Sequence, residues 1–517
     1  MNAEDIYKGI TEIREEIVEE APKTQLKRKR PAWRRWAAVA ACAALAGGLA
    51  GYLLPRIGGS SAPGTGGGGH AEGSVFMSYA GPILPLTLLE EETGLLAARA
   101  LALDFAPQQE AEQSRLWSMG VTDAYTLTNE SAEDKTVTLA YPFVGSFREL
   151  DRPALTLDGA PLSTTLHAGP YTGGFRGAGD EKSQSLNLDE IHEFSGYRAL
   201  LADGGYMASA LQTEYPALTD PVTVYELTNV TDGGSEAVNP TLNMAFHMDY
   251  DKSIVLTYGF NGGRYDPDTG DTARNFSIPK ENRRDYGATR FLAVLGEDIG
   301  EYTLQGYENG ACEPGEEING AGASVTRYET TLGELLLTIA QTFYDDVHMS
   351  EYDGDDNRYI ARDITFDMYF GEVCRFFAKY GVAGEEAKER YDFGMLEDII
   401  NETVVHSRVL YLAAEITVPA GGSVVISARS LKRPSYDFAC TGSDNVGVLG
   451  YELATSLGSS LDFTEQSASL VNYEKVELVR QNFGFDLAAG ITSVSLDPAV
   501  EHYYIEVRPV PQEQEAG

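Results

Sequence analysis

The chain has 517 residues, 78 acidic against 39 basic, for a formal net charge of −39. A balance this acidic repels nucleic acid and anionic surfaces, so no nucleic-acid role is expected. Four cysteines in this length exclude a fold stapled by a disulfide framework.

Residues 1–36 read as an arm. Over Ala3–Glu20, Ile6, Ile10, Ile13 and Ile17 recur at steps of 4, 3 and 4, which places them on one helical face. Glu12, Glu15, Glu16, Glu19 and Glu20 occupy the rest. A lone amphipathic helix of this length is marginal in water, so the isoleucine stripe is the candidate partner-binding face. The acidic polar face argues against an anionic bilayer as that partner. Lys23, Lys27, Arg28, Lys29, Arg30, Arg34 and Arg35 then lead into Ala37–Leu54, 18 residues without a charge. As a helix this stretch spans about 27 Å, close to the roughly 30 Å of a hydrocarbon core. Trp33 and Trp36 on one side and Tyr52 on the other suit the two membrane interfaces. Seven basic residues precede the span and Arg56 alone follows it, so the N-terminus is expected in the cytoplasm and the bulk outside.

Three readings compete with this single-pass anchor. Ala44-Leu45-Ala46 has the form of a signal-peptidase site, though the leader before it is long and acidic. Val39-Ala40-Ala41-Cys42 has the form of a lipobox, though almost no apolar run precedes it. A buried soluble helix is the third, and the basic flank argues against it.

Residues 55–74 carry Ser60, Ser61, Pro63 and the run Gly66–Gly69, the composition of a flexible tether. From residue 57 onward there are 29 basic and 71 acidic residues, net −42. Tyr125–Asn129 and Lys135–Tyr141 alternate around an acidic turn and predict a hairpin. Tyr225–Asn229 repeats the Tyr-x-Leu-Thr-Asn motif before Thr241–His247, which predicts two related β-units. A third such unit is predicted at Val409–Val418, turning at Pro419-Ala420-Gly421-Gly422 and returning over Ser423–Ser427. Further strands are expected at Lys475–Val479, Ile491–Leu496 and Tyr503–Val507. Helical spacing appears at Leu332–Tyr344, Phe366–Tyr380 and Phe393–His406, with the aromatics of the middle segment expected in the core.

The expected fold is mainly β with a helical insertion (α+β). It consists of tandem immunoglobulin-like β-sandwich units outside one N-terminal transmembrane helix. The expected divisions are 75–210 for the first sandwich, 211–330 for the second and 331–408 for the helical insertion. Residues 409–510 form a C-terminal β-region expected to complete the second sandwich.

Signatures of chemistry are sparse. There is no Gly-x-Ser-x-Gly, no His-Glu-x-x-His and no Walker loop, so no enzyme, catalytic residue or cofactor is expected. The seven histidines are scattered singly, and His247, within a predicted strand, reads as structural. Asp266, Asp268 and Asp271 in one Gly-containing turn, and Asp353 and Asp355 in another, have the oxygen-rich composition of calcium turns without EF-hand spacing. Ordinary solvated turns have the same composition. Gly259–Gly263 and Asn482–Asp486 are Gly-aromatic turns that either stack on a glycan or pack on their own aromatics. Cys312, Cys374 and Cys440 leave one bridge plus a thiol, or no bridge, both open.

The N-terminal pattern resembles a broad group of single-pass membrane proteins of gut-type Firmicutes. Its carriers here are Asp5-Ile6-Tyr7, Ile10, Ile13, Ile17-Val18-Glu19-Glu20-Ala21, Trp33, Arg34, Arg35 and Trp36. Some members of that group look like anti-sigma factors, in which a short cytoplasmic segment holds a sigma factor and the outer domain senses. This arm has no cysteine before Cys42, so it lacks the His-x-x-x-Cys-x-x-Cys zinc motif of one anti-sigma class. The resemblance implies a membrane-anchored extracytoplasmic binding or sensor protein. Its partners would be a cytoplasmic sigma factor or other regulator inside and a glycan or protein ligand outside. The alternative is a structural or adhesive surface protein, wall- or glycan-binding, with no signalling role.

Overall fold

The computed structural model describes residues 79–90, 93–106, 118–175, 188–266, 268–279, 289–349, 360–380, 394–438 and 445–510. All fall within the compact unit Leu54–Gly517. The arm with Ile6, Ile10, Ile13 and Ile17, the expected span at 37–54, the tether, and Asp353 and Asp355 lie outside the described residues. Among the described residues no helix is long and apolar enough to cross a membrane.

The protein is mainly β with a few helices, as expected. Its largest sheet has seven strands, in the order Ser493–Ser495, Asp462–Val471, Leu96–Asp104, Met119–Thr128, Ser423–Lys432, Ala154–Leu157, Ala160–Pro161. Met119–Thr128 alternates strictly between buried and half-buried, so Met119, Val121, Tyr125 and Leu127 share its inner face. Tyr125 and Leu127 meet a four-stranded sheet ordered Thr87–Leu88, Lys135–Gly145, Arg408–Val418, Thr165–Tyr171. Met119 and Val121 instead meet a C-terminal sheet ordered Tyr436–Asp437, Leu449–Ala454, His502–Pro509, Val476–Gln481. One long sheet is thus covered by two shorter ones.

A buried ion pair marks the seam. Arg99 donates to both carboxylate oxygens of Asp123, at 2.8 and 2.7 Å, and to Ala454 O of the C-terminal sheet at 2.8 Å. Tyr125 and, from the four-stranded sheet, Tyr141 donate to the same carboxylate at 2.7 and 3.4 Å. Burial works to lower the Arg99 guanidinium, but Asp123 holds it above its usual value.

A second pair of sheets is contiguous in sequence. Ser253–Tyr258, Arg290–Gly296, Pro221–Thr231 and Gly322–Thr331 form one sheet. Gly262–Tyr265, Asp271–Ser277, Thr241–His247, Tyr302–Tyr307 and Glu317–Ile318 form the other. Tyr225, Leu227, Leu292 and Val294 face Leu242, Met244 and Phe276 between the two. The alternate residues Val222, Val224, Phe291 and Ala293 face outward and are buried as well, under helices. That double burial explains the unbroken apolar run Phe291–Leu295.

The covering helices are α3 (Leu332–Met349), α4 (Phe366–Tyr380) and α5 (Leu396–Val405). They follow α1 (Phe194–Leu201) and α2 (Gly205–Ala210) in the chain. Leu332, Leu335, Leu336, Ile339, Ala340 and Phe343 of α3 recur at helical spacing and are all buried. Each of the larger ones contributes about 1.5–3 kcal/mol by leaving water. The layer also reaches the first sandwich, where Ala361 N donates to Phe147 O at 2.8 Å and Arg148 N to Val404 O at 3.1 Å. The described helices Leu332–Met349, Phe366–Tyr380 and Leu396–Val405 thus fall within 331–408 and pack against both pairs of sheets. Helices α1 and α2, which fall inside the expected first sandwich, have no counterpart in the sequence-based expectations.

Two expectations are corrected by strand pairing. Arg408–Val418 pairs with Lys135–Gly145 and Ser423–Lys432 pairs with Met119–Thr128, so the region after 408 completes the first sandwich and not the second. Asp462–Val471 joins the same sandwich in parallel beside Leu96–Asp104, a pairing that requires a long crossover. The expected hairpins are instead arches. Met119–Thr128 and Lys135–Gly145 are consecutive but lie in facing sheets, as do Pro221–Thr231 and Thr241–His247, and Arg408–Val418 and Ser423–Lys432. A tight two-residue turn closes a hairpin, whereas the longer connections here cross the roughly 10 Å between sheets. The repeated Tyr-x-Leu-Thr-Asn marks this crossing in both sandwiches. Asn129 locks the first arch to the third, donating to Glu133 O at 2.8 Å and Val418 O at 3.1 Å, while Gly421 N donates to Ser131 O at 3.0 Å.

Candidate functional site

Helix α4 carries Glu372, Arg375 and Lys379 at spacings of three and four, one stripe along its surface. The helix starts where Met368 N donates to Thr365 Oγ1 at 3.3 Å, the geometry of an N-cap. Asp367 in its first turn and Lys379 in its last suit the helix dipole. The opposite stripe, Tyr369, Val373 and Phe377, is buried in the core and fixes the rotation of the helix. The polar stripe therefore runs from core to surface: Glu372 is buried, Arg375 is partly buried and Lys379 is exposed.

At the buried end Glu372 bridges two guanidinium groups. Arg375 donates to Oε1 at 2.6 Å and Arg408 to Oε2 at 3.0 Å. Arg408 stands at the first residue of its strand and also donates to Thr403 O at 2.5 Å, in the last turn of α5. It donates to Gly169 O at 3.2 Å, and its Cζ lies 4.0 Å from the Phe147 ring centroid. Arg375 ties the segment after α2 to α4 by donating to Gln212 O and Glu214 O, at 2.6 and 3.1 Å. Burial raises the Glu372 carboxyl above its usual range, against the pull of Arg408 and Arg375. Burial likewise lowers the Arg408 guanidinium, against Glu372. Desolvation opposes the pairing on both sides, so this cluster holds position more than it adds stability.

Above the cluster opens a cleft of about 210 Å³. Pro170 and Tyr171 from the four-stranded sheet, Ser209 of α2, Phe376, Lys379 and Tyr380 of α4, and Thr403 of α5 line it. Tyr171 donates to Tyr380 Oη at 2.5 Å, and the Phe376 ring lies 5.6 Å from Tyr171 and 4.9 Å from Tyr380. Lys379 Nζ sits 5.2 Å from the Tyr380 ring centroid and 6.0 Å from that of Tyr171. Gly169 is needed beneath: a Cβ there would come within 2.3 Å of the Tyr206 ring, whose hydroxyl bonds Pro170 O.

A second polar cluster lies on the C-terminal sheet. Glu452 and Glu506 are 2% and 0% exposed. Tyr79 donates to Glu452 at 2.5 Å, and Tyr436 donates to Glu506 at 3.0 Å. His502 Nε2 lies 3.1 Å from Glu452, and Arg480 pairs with Glu506. These are two convergent carboxylates, but both are enclosed.

The residues singled out from sequence fall elsewhere. Asp266 Oδ1 accepts from Asp268 N and Thr269 N at 3.0 and 3.3 Å, so it caps its own hairpin turn. Asp271 lies 3.6 Å from exposed His247. Among the described residues no group of three or more His, Cys, Asp or Glu is placed to hold a metal ion. Phe260, Phe483 and Phe485 are buried against Phe276 and Tyr503, so both Gly-aromatic turns pack on their own aromatics. Cys312 and Cys374 are free thiols, and Cys440 lies outside the described residues. The cleft residues Glu372, Arg375, Lys379 and Arg408 carried no recognised motif. The available signal was a Glu-x-x-Arg-x-x-x-Lys stripe on the polar side of a predicted helix. Compared with protein-family models, with curated proteins and with solved structures, the chain matches none.

Proposed function

We propose that this is a membrane-anchored binding or sensing protein. Its N-terminal arm lies in the cytoplasm and its tandem, immunoglobulin-like β-sandwich region lies outside. The cleft above Glu372 is its ligand site. What supports this reading is the cleft's position. It lies where the edge of the first sandwich, α2 and the helical layer on the second sandwich meet, and small-molecule sites favour such junctions. A ligand there touches elements from every side of the junction and can shift their equilibrium by its differential contact with two arrangements. The Ile6/Ile10/Ile13/Ile17 face then passes the change to a regulator such as a sigma factor.

The test is affinity capture from cells of the full chain tagged at its C-terminus, wild type against Ile10→Asp/Ile13→Asp. Loss of a cytoplasmic regulator in the variant is the expected result. Identical capture of envelope proteins by both would remove the signalling role and leave a structural or adhesive surface protein.

A further inference from the structure

We infer that the cleft takes a small organic monoanion: a carboxylate carried on a body the size of one sugar or one amino acid. The carboxylate sits at Lys379 and the body lies against Tyr171, Phe376 and Tyr380. This rests on the reading of the cleft as a ligand site and names what enters it.

Charge is the first observation. Among the described residues Arg375, Lys379 and Arg408 line the cleft against Glu372 and Glu214, a local balance of +1. The chain from residue 57 onward carries net −42. A local excess of one positive charge in so acidic a region makes the cleft an attractor for negative charge.

The cations are not equivalent. Arg375 and Arg408 are committed to Glu372 and to the carbonyls of Gln212, Glu214 and Thr403. Their role is to hold the floor. Lys379 is exposed at the mouth, and its contacts among the described residues are the faces of Tyr380 and Tyr171, not a carboxylate. The Lys379 ammonium thus stands beside the cavity with no carboxylate among its described contacts. It offers one positive charge, which matches a monoanion.

Size and wall chemistry set the rest. The cleft has a volume of about 210 Å³. That is below the roughly 300 Å³ at which drug-sized pockets begin. One ring or one amino-acid residue fits within it. Tyr171, Phe376 and Tyr380 give an aromatic wall that an inorganic oxyanion has no organic body to meet. Sugars and small amino acids have one.

The test uses the full chain in detergent micelles and calorimetric titration with matched probes. These are D-glucuronate against D-glucose, N-acetylalanine against N-acetylalanine amide, and inorganic phosphate. The expected result is that at least one carboxylate binds, its neutral counterpart at least about tenfold more weakly, a difference of about 1.4 kcal/mol. Lys379→Met should lose that preference, Lys379→Arg should keep it, and Ser209→Trp, which fills the cleft, should abolish binding. Equal affinity for acid and neutral probe, unchanged in Lys379→Met, overturns the anion inference while leaving the cleft reading intact if Ser209→Trp still blocks. Binding that survives Ser209→Trp overturns the cleft reading itself. Phosphate binding as tightly as the carboxylates overturns the organic body, and no binding by either carboxylate overturns the inference.

Discussion

Asp123→Asn isolates the seam between three sheets. The substitution keeps the side-chain shape and removes one charge. Arg99 is 2% exposed and donates twice to Asp123, so it would be left as a buried cation facing an amide. Breaking a buried pair by removing one partner costs about 3–5 kcal/mol. An independent count agrees: two hydrogen bonds to a charged acceptor are worth about 3–6 kcal/mol together. Asn also turns an amide donor toward either Arg99 or the hydroxyls of Tyr125 and Tyr141, all of which are donors here. A domain typically has about 5–15 kcal/mol of total stability, so the loss is a large share. Urea unfolding of the full chain, followed by far-UV circular dichroism, should show the midpoint falling by about 1 M for slopes near 3 kcal/mol/M. Replacing both partners, Arg99→Met with Asp123→Leu, should recover much of the loss, because a packed apolar pair carries no stranded charge. An Asp123→Asn protein within about 1 kcal/mol of wild type would refute this account of the seam, as would a double variant weaker than the single one.

The two copies of Tyr-x-Leu-Thr-Asn should respond differently at their last residue. Asn129 is fully buried and satisfies Glu133 O and Val418 O. Asn129→Ala should therefore cost about 2 kcal/mol by stranding buried acceptors, measured by urea unfolding. Asn229 is exposed with φ +50°; Asn229→Ala should cost about 1 kcal/mol from the left-handed backbone, and Asn229→Gly almost nothing. Equal costs for the two alanine variants would show that the arches are equivalent. Lys432 gives a pH dependence. Its Nζ donates to Ala80 O at 3.0 Å, and burial, with Arg433 beside it and despite Glu452 and Asp151, lowers it to about 7. An unfolded lysine keeps its proton to about pH 10.4. Between these values the unfolded state binds more protons, so this group makes stability rise with pH. From pH 7 to 9 wild type should gain up to about 2 kcal/mol relative to Lys432→Met. Parallel pH slopes in the two proteins would overturn this.

Periodicity alone located α3, α4, α5 and nine of the strands because those signals are local. The α3 stripe Leu332–Phe343 and the span Phe366–Tyr380 were legible since each helix buries one face of its own sequence. The alternation of Tyr125–Asn129, the end of the strand Met119–Thr128, was legible for the same reason. What alternation cannot state is which sheet a strand joins, since an arch and a hairpin leave the same pattern on each strand. Tertiary structure therefore decided that Arg408–Val418 pairs with Lys135–Gly145, and that Asp462–Val471 runs parallel to Leu96–Asp104. It decided the cleft as well. Glu372 and Arg408 are 36 residues apart, and Tyr171 and Tyr380 are 209 apart. Each looks like an ordinary surface or core residue until the helical layer is set against the edge of the first sandwich. Spacing placed Lys379 within the expected helix Phe366–Tyr380, and only packing left its ammonium over two tyrosine rings with no carboxylate among its described contacts.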